Sequence, residues 1–160
     1  QRLQNPFCSV ETYARVDLPS QGLALLENDG RTVIYLDRNQ ASGDPAYRDF
    51  LMAHECCHHT RGHLRRLKQK GEERALLAMS FVNRSLELDA DCCAAVALAS
   101  AGKQAAIREA ARRMRTYGAR PTGAGGYPAG FLRADLIERC AAGTQTPAPP
   151  GQMTPDGTAK

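Results

Sequence analysis

His54-Glu55-Cys56-Cys57-His58 places two histidines four residues apart in a segment that reads as helix. On a helix, positions i and i+4 share a face about one turn apart, so both imidazoles can close on one cation. Glu55 then sits beside the cation's open position. There it can take a proton from a water that Zn²⁺ has made more acidic. This is the H-E-x-x-H pattern of metal-assisted peptide hydrolysis. The pattern is short, and its surroundings must supply the rest of the argument.

Working outward, Ser42-Gly43-Asp44-Pro45 is a helix start, a capping side chain followed by proline in the first turn. The helix is predicted over residues 45–68, and Gly71 breaks the pattern. A second long helix is predicted over 72–101, rich in apolar positions and closed by Gly102. A third, amphipathic helix covers 103–117 and stops at Gly118. Residues 119–130 are rich in glycine and proline and read as a loop, with a last helix over 131–142. On the other side, 22–27 and 31–37 read as strands joined by the Asn28-Asp29-Gly30 turn, a β-hairpin. Residues 1–20 read as irregular, with Pro6 and Pro19 as breakers. The tail, 144–160, is rich in proline and small polar residues and reads as disordered, which leaves 1–143 as one domain.

Two histidines alone do not hold a catalytic zinc; a third protein ligand is usual. Glu87 and Asp91, again i and i+4, lie on the second long helix among Phe81, Val82, Leu86, Leu88 and the apolar run after Asp91. Carboxylates on a buried helix need a partner, and a divalent metal supplies one. Glu87 can serve as the third ligand. Asp91, one turn on, can accept the outward N–H of a ligand histidine and fix its tautomer. His59 should point off the metal face. His63 lies nine residues past His54, about 2.5 turns, and is expected on the opposite side as a structural residue.

The chain has 160 residues, enough for one domain with a core, and no apolar run approaches the ~20 residues of a membrane span. The net charge of +4 and the basic runs at 61–70 and 108–115 lack interleaved aromatics and any nucleic-acid motif, so solvated helix faces are expected there. Six cysteines, with pairs at Cys56-Cys57 and Cys92-Cys93, point to disulfides and an oxidising compartment. At least one bridge is expected between the two pairs, stapling the ligand-bearing helices. Cys8 with Cys140 is the expected second bridge. Location is then secreted or periplasmic, with a leader removed before Gln1; the alternative is cytoplasmic.

H-E-x-x-H followed by Glu87-Leu88-Asp89-Ala90-Asp91 on a downstream helix resembles the gluzincin metallopeptidases related to the CAAX prenyl protease and HtpX. Gly62-His63 matches a glycine-histidine of that family, Val33-Ile34-Tyr35-Leu36 its extended segment before the metal helix, and Tyr127-Pro128 with Arg133 its His-Pro and arginine. The resemblance covers about residues 31–135. It implies His54, His58 and Glu87 as zinc ligands, Glu55 as general base and Asp91 as support behind a ligand. The family's membrane-spanning helices are absent, and tyrosine replaces its loop histidine. Tyr127 can donate to a developing oxyanion as an imidazolium can.

The fold expected is α+β: a small zincin-like domain, a β-hairpin plus about four helices, with H-E-x-x-H on the first long one. The strand at 31–37 is expected to pair with an extended substrate. The function expected is a zinc-dependent endopeptidase acting on a protein or peptide, with a regulatory protein as a further partner, and without nucleic acid or an integral membrane segment. The rival from another class is a non-catalytic interaction protein stabilised by a structural zinc. A thiol oxidoreductase ranks last, because adjacent cysteines lack the Cys-x-x-Cys spacing.

Overall fold

Asp44 accepts a hydrogen bond from the Ala46 amide at 2.9 Å, and Pro45 follows at the first helical position. This cap starts the helix that carries both candidate ligand histidines. A computed structural model gives the fold and describes residues 1–69, 84–123 and 127–147. In chain order the strands are β1 (Arg2–Leu3), β2 (Glu11–Arg15), β3 (Gly22–Leu26) and β4 (Thr32–Asp37). The helices among the described residues are α1 (Arg38–Ser42), α2 (Pro45–Thr60), α3 (His63–Gln69), α4 (Arg84–Ser100), α5 (Gln104–Tyr117) and α6 (Gly130–Ala141). The architecture is α+β, as expected, with more elements than the sequence reading gave.

The sheet has the order β1-β2-β4-β3. β3 and β4 form the predicted antiparallel hairpin, with Ala24 opposite Ile34. β2 runs parallel to β4, and the two-residue β1 pairs antiparallel with β2. The expectation that 1–20 is irregular is therefore corrected. β2 has one small apolar residue facing inward, Ala14; the other inward position is Thr12, whose hydroxyl accepts from Asn5 and donates to the Val10 carbonyl. A strand that buries a threonine and an alanine carries almost no hydrophobic alternation to read. The same order corrects the expected substrate strand. β4 is flanked on both sides, and β3 is the outer strand at that end of the sheet.

α2 lies between the sheet and the other helices, touching β3 and β4 on one side and α4 and α5 on the other. Ile34 and Leu36 from β4, Phe50 from α2, Leu98 from α4 and Ile137 from α6 meet in one core and are essentially inaccessible to water. Each such side chain contributes about 1.5–3 kcal/mol by its burial. A second cluster joins Leu23, Leu25 and Val33 to Leu64 and Leu67 of α3 and Leu86 of α4.

The single helix predicted over 45–68 is broken. Arg61 caps α2, Gly62 adopts φ +71°, and the chain restarts as α3 at His63. A left-handed residue cannot continue a right-handed helix, and glycine takes that conformation at least cost. The start expected at residue 72 for the next helix lies outside the described residues, as do residues 148–160 of the tail. α4 ends as predicted: the Gly102 amide donates to the Ala99 carbonyl and the Lys103 amide to that of Leu98, the paired bonds of a Schellman cap.

All six cysteines are bridged, as Cys8–Cys56, Cys57–Cys93 and Cys92–Cys140. The expected staple between the two pairs is Cys57–Cys93. The expected Cys8–Cys140 bridge is replaced by two others, because the adjacent cysteines of each pair point to different sides of their helix. Cys56 faces the N-terminal segment while Cys57 faces α4. On α4, Cys92 faces α6 while Cys93 faces α2.

Candidate metal centre

α2 brings His54 and His58 onto one face, with their Nε2 atoms 3.1 Å apart. α4 runs against α2 and presents Glu87 to both: one carboxylate oxygen lies 3.2 Å from His54 Nε2, the other 3.3 Å from His58 Nε2. All three residues are buried, and their ligand atoms lie close enough together to hold one metal ion. Asp91, one turn beyond Glu87, accepts from His54 Nδ1 at 2.9 Å. Its two oxygens also take a two-pronged hydrogen bond from Arg133 of α6, at 2.6 and 2.8 Å. The sequence-predicted cluster of His54, His58, Glu87 and Asp91 is thus assembled at one place.

The donor set can be tested by hydrogen-bond direction. A carboxylate only accepts, so His54 Nδ1 carries the proton toward Asp91 and its Nε2 is left with a lone pair unless the ring is charged. On the other candidate ligand, His58 Nδ1 faces His63 Nδ1 at 2.9 Å, and His63 Nε2 faces Asp89 Oδ2 at 2.7 Å. Asp89 in turn accepts from Arg61 through Nε and Nη2, at 2.9 and 3.0 Å. Reading back from Asp89, His63 donates through Nε2 and accepts through Nδ1. His58 must then donate through Nδ1, and its lone pair also lies on Nε2. Two imidazole lone pairs and a carboxylate therefore converge on one small space. Such a group requires positive charge at its centre.

The wider charges agree. Among the described residues, the buried carboxylates Glu55, Glu87, Asp89 and Asp91 stand with the guanidiniums of Arg61 and Arg133. With neutral imidazoles negative charge is in excess, even when Glu55 carries a proton. Burial alone would push the His54 imidazole down, but its hydrogen bonds to Asp91 and Glu87 reverse this and raise its pKa to about 10. Burial pushes Glu87 up, and the imidazoles beside it more than offset this and hold it well below the usual carboxylate range. A proton on His54 thus supplies the cation that the group demands, and a divalent metal fits the same demand. His63 is the opposite case. Its burial outweighs the hydrogen bond to Asp89 and lowers its pKa to about 4, so the ring is neutral and can both accept and donate.

Glu55 stands beside this group at the foot of β3. Its Oε1 lies 2.6 Å from where a Cβ on Gly22 would stand. Burial raises its pKa, with the neighbouring imidazoles opposing. His54, His58, Glu87 and Glu55 line a cleft of about 470 Å³ whose walls include Phe50, Met114 and Tyr127. Tyr127 packs its ring against Gly123, with the Arg133 guanidinium 5.9 Å from the ring centroid, and burial raises its phenol pKa so that the hydroxyl stays protonated. Residues 124–126 of the loop before it lie outside the described residues.

His59 points away from the group and meets the Val33 carbonyl at 3.1 Å, as expected. His63 does not lie on the opposite side. The break at Gly62 starts a new helix and turns the imidazole back onto His58. Asp89 and Arg61 join the centre for the same reason. Gly62 was the signal for all three, since glycine between a histidine-bearing helix and another histidine is where a helix can fold back.

No protein-family model, no curated protein and no solved structure matches this chain.

Proposed function

We propose that this chain is a zinc-dependent endopeptidase, similar to the soluble core of the gluzincins related to the CAAX prenyl protease and HtpX, and that it works in a secreted or periplasmic setting. The observation that carries the reading is the convergence of His54 Nε2, His58 Nε2 and the Glu87 carboxylate, with Glu55 beside them in an open cleft. Two histidines and a glutamate are the ligand set of several hydrolytic zinc sites, where an open position is kept. Zinc, when bound there, supplies Lewis acidity to a carbonyl and lowers the pKa of water.

The chain's own residues divide the remaining work. Glu55 takes a proton from a water in the cleft and returns it to the leaving amine; burial raises its pKa and so makes it a stronger base for the first transfer. Tyr127 donates its phenolic hydrogen to the oxyanion that develops on the carbonyl. β3, with Gly22 lining the cleft, offers backbone groups to an extended peptide. Asp91 and Arg133 hold the His54 ring. Three disulfides fit an oxidising compartment. No helix among the described residues is long and apolar enough to cross a membrane.

The test is metal analysis beside a peptide-hydrolysis assay. Wild type should carry close to one zinc per chain, and Glu55→Gln should keep the zinc and lose hydrolysis. Tyr127→Phe should lower kcat by about 10²–10³, with little change in KM. Loss of zinc together with activity in Glu55→Gln would mark Glu55 as structural. Undiminished turnover in that variant would sink the mechanism. Zinc without any hydrolysis in wild type would favour a structural metal in an interaction protein.

A further inference from the structure

His63, Asp89 and Arg61 contribute nothing to the cleft, yet they form a continuous chain of polar contacts ending on a ligand. His63 is fully buried, and both of its ring nitrogens are used: Nδ1 against His58 Nδ1 at 2.9 Å and Nε2 against Asp89 Oδ2 at 2.7 Å. The far end is closed by the two-pronged Arg61–Asp89 contact. With His63 neutral, only one direction of donation satisfies every member, because Asp89 only accepts and Arg61 only donates. The proton order is therefore fixed from Arg61 inward, and it leaves the Nε2 lone pair of His58 facing His54 and Glu87.

We infer that His63 is a positioning residue for the metal centre: with Asp89 it imposes the tautomer and ring orientation in which His58 can ligate through Nε2. The inference rests on the proposed metal site and assigns a task to residues outside it. The two ligand histidines are then held by different devices. His54 leans directly on a carboxylate. His58 leans on one through a second imidazole, which spans a gap that Asp89 cannot cross. α3 exists in its present place because Gly62 turns the chain, so the glycine delivers the positioning group to the ligand one turn behind it.

Partners behind a metal-bound histidine typically contribute about 10- to 100-fold in metal affinity. The experiment is zinc affinity of the full chain, by competition with a chromophoric chelator, for wild type, His63→Ala, His63→Gln and Asp89→Asn. A second readout is the imidazole N–H spectrum of the zinc-loaded, ¹⁵N-histidine-labelled protein. His63→Ala should bind zinc about 10- to 100-fold more weakly, and a protected His58 Nδ1–H signal seen in wild type should disappear. His63→Gln keeps most of the volume with one acceptor and one donor, and should recover part of the affinity and the signal. Asp89→Asn, a one-atom change that preserves packing, should weaken zinc binding even if His63→Ala does not fold. Affinity within twofold of wild type in Asp89→Asn or in a folded His63→Ala would overturn the inference. So would a loss of affinity in His63→Ala that leaves the His58 Nδ1–H signal in place, since the tautomer of His58 would then not depend on His63. A wild type that takes up no zinc would overturn the metal site itself, and the positioning role with it.

Discussion

Gly22 has no side chain, and the Glu55 carboxylate occupies the place where one would be. A Cβ there would stand 2.6 Å from Glu55 Oε1 and 3.0 Å from its Cγ. The atom in the way is the end of a flexible side chain, so Gly22→Ala should fold and should keep the proposed metal. The carboxylate must move, however, and misplacing a reacting group by about 1 Å can cost on the order of 10²-fold in rate. We predict a fall of that order in kcat for Gly22→Ala, with the melting temperature nearly unchanged and zinc content near one. An unaltered kcat would show that the position of Glu55 is not critical. At this scale the sequence was legible where spacing carries the information. His54 with His58 and Glu87 with Asp91 stand four apart on helices, and helices keep such pairs together whatever lies around them. Gly22 and Glu55 are distant in sequence, and nothing in either residue's type announces that they touch.

α4 and α6 are tied through a buried ion pair. Arg133 is almost wholly enclosed and holds Asp91 by two hydrogen bonds, with a third bond from its Nη1 to the Thr122 hydroxyl. Removing the guanidinium would leave the Asp91 carboxylate in a dry interior with His54 as its one remaining side-chain partner among the described residues. Breaking one side of such a pair typically costs about 3–5 kcal/mol. Arg133→Met, which keeps much of the stem's packing, should lower unfolding stability by that amount in urea titration. Arg133→Met with Asp91→Leu should be more stable than Arg133→Met alone, because the stranded charge is gone. If the single substitution costs under about 1 kcal/mol, the pair is not holding the helices together. Element order was partly legible. The hairpin and the long helices show regular apolar periods, and caps such as Asp44 and Gly102 mark their ends. β2 was hidden because its buried positions are a threonine and an alanine, and α3 because one glycine separates it from α2.

The three bridges run in series across the molecule: the N-terminal segment to α2, α2 to α4, and α4 to α6. Each closes a loop of 36 to 48 residues. Loops of that size correspond to roughly 3–4.5 kcal/mol apiece in a chain-entropy account, with overlap making the total smaller than the sum. The middle bridge links the two helices that carry the proposed ligands, and the outer two do not. Replacing Cys57 and Cys93 by serine should therefore weaken zinc binding as well as stability, while replacing Cys8 and Cys56 should lower stability with a much smaller effect on zinc. Equal effects of the two double variants on zinc affinity would deny the middle bridge any special part. The existence of bridges was legible in the paired cysteines; their partners were not, since pairing depends on which way each residue of a pair faces.

That last point bears on how the molecule is made. Cys56 and Cys57 compete for the same oxidant, and so do Cys92 and Cys93. Exchange of partners within either pair would give an isomer with nearly the same loop sizes, which chain entropy cannot reject. Only the helical twist, which sends neighbouring side chains about 100° apart, tells the two sulfurs of a pair from one another. Oxidation before α2 and α4 have formed would scramble the bridges, and the scrambled forms would carry their histidines and Glu87 out of register. Productive maturation therefore calls for helix formation first and thiol–disulfide exchange afterwards. Refolding from the reduced state should then be limited by reshuffling and speeded by a disulfide isomerase.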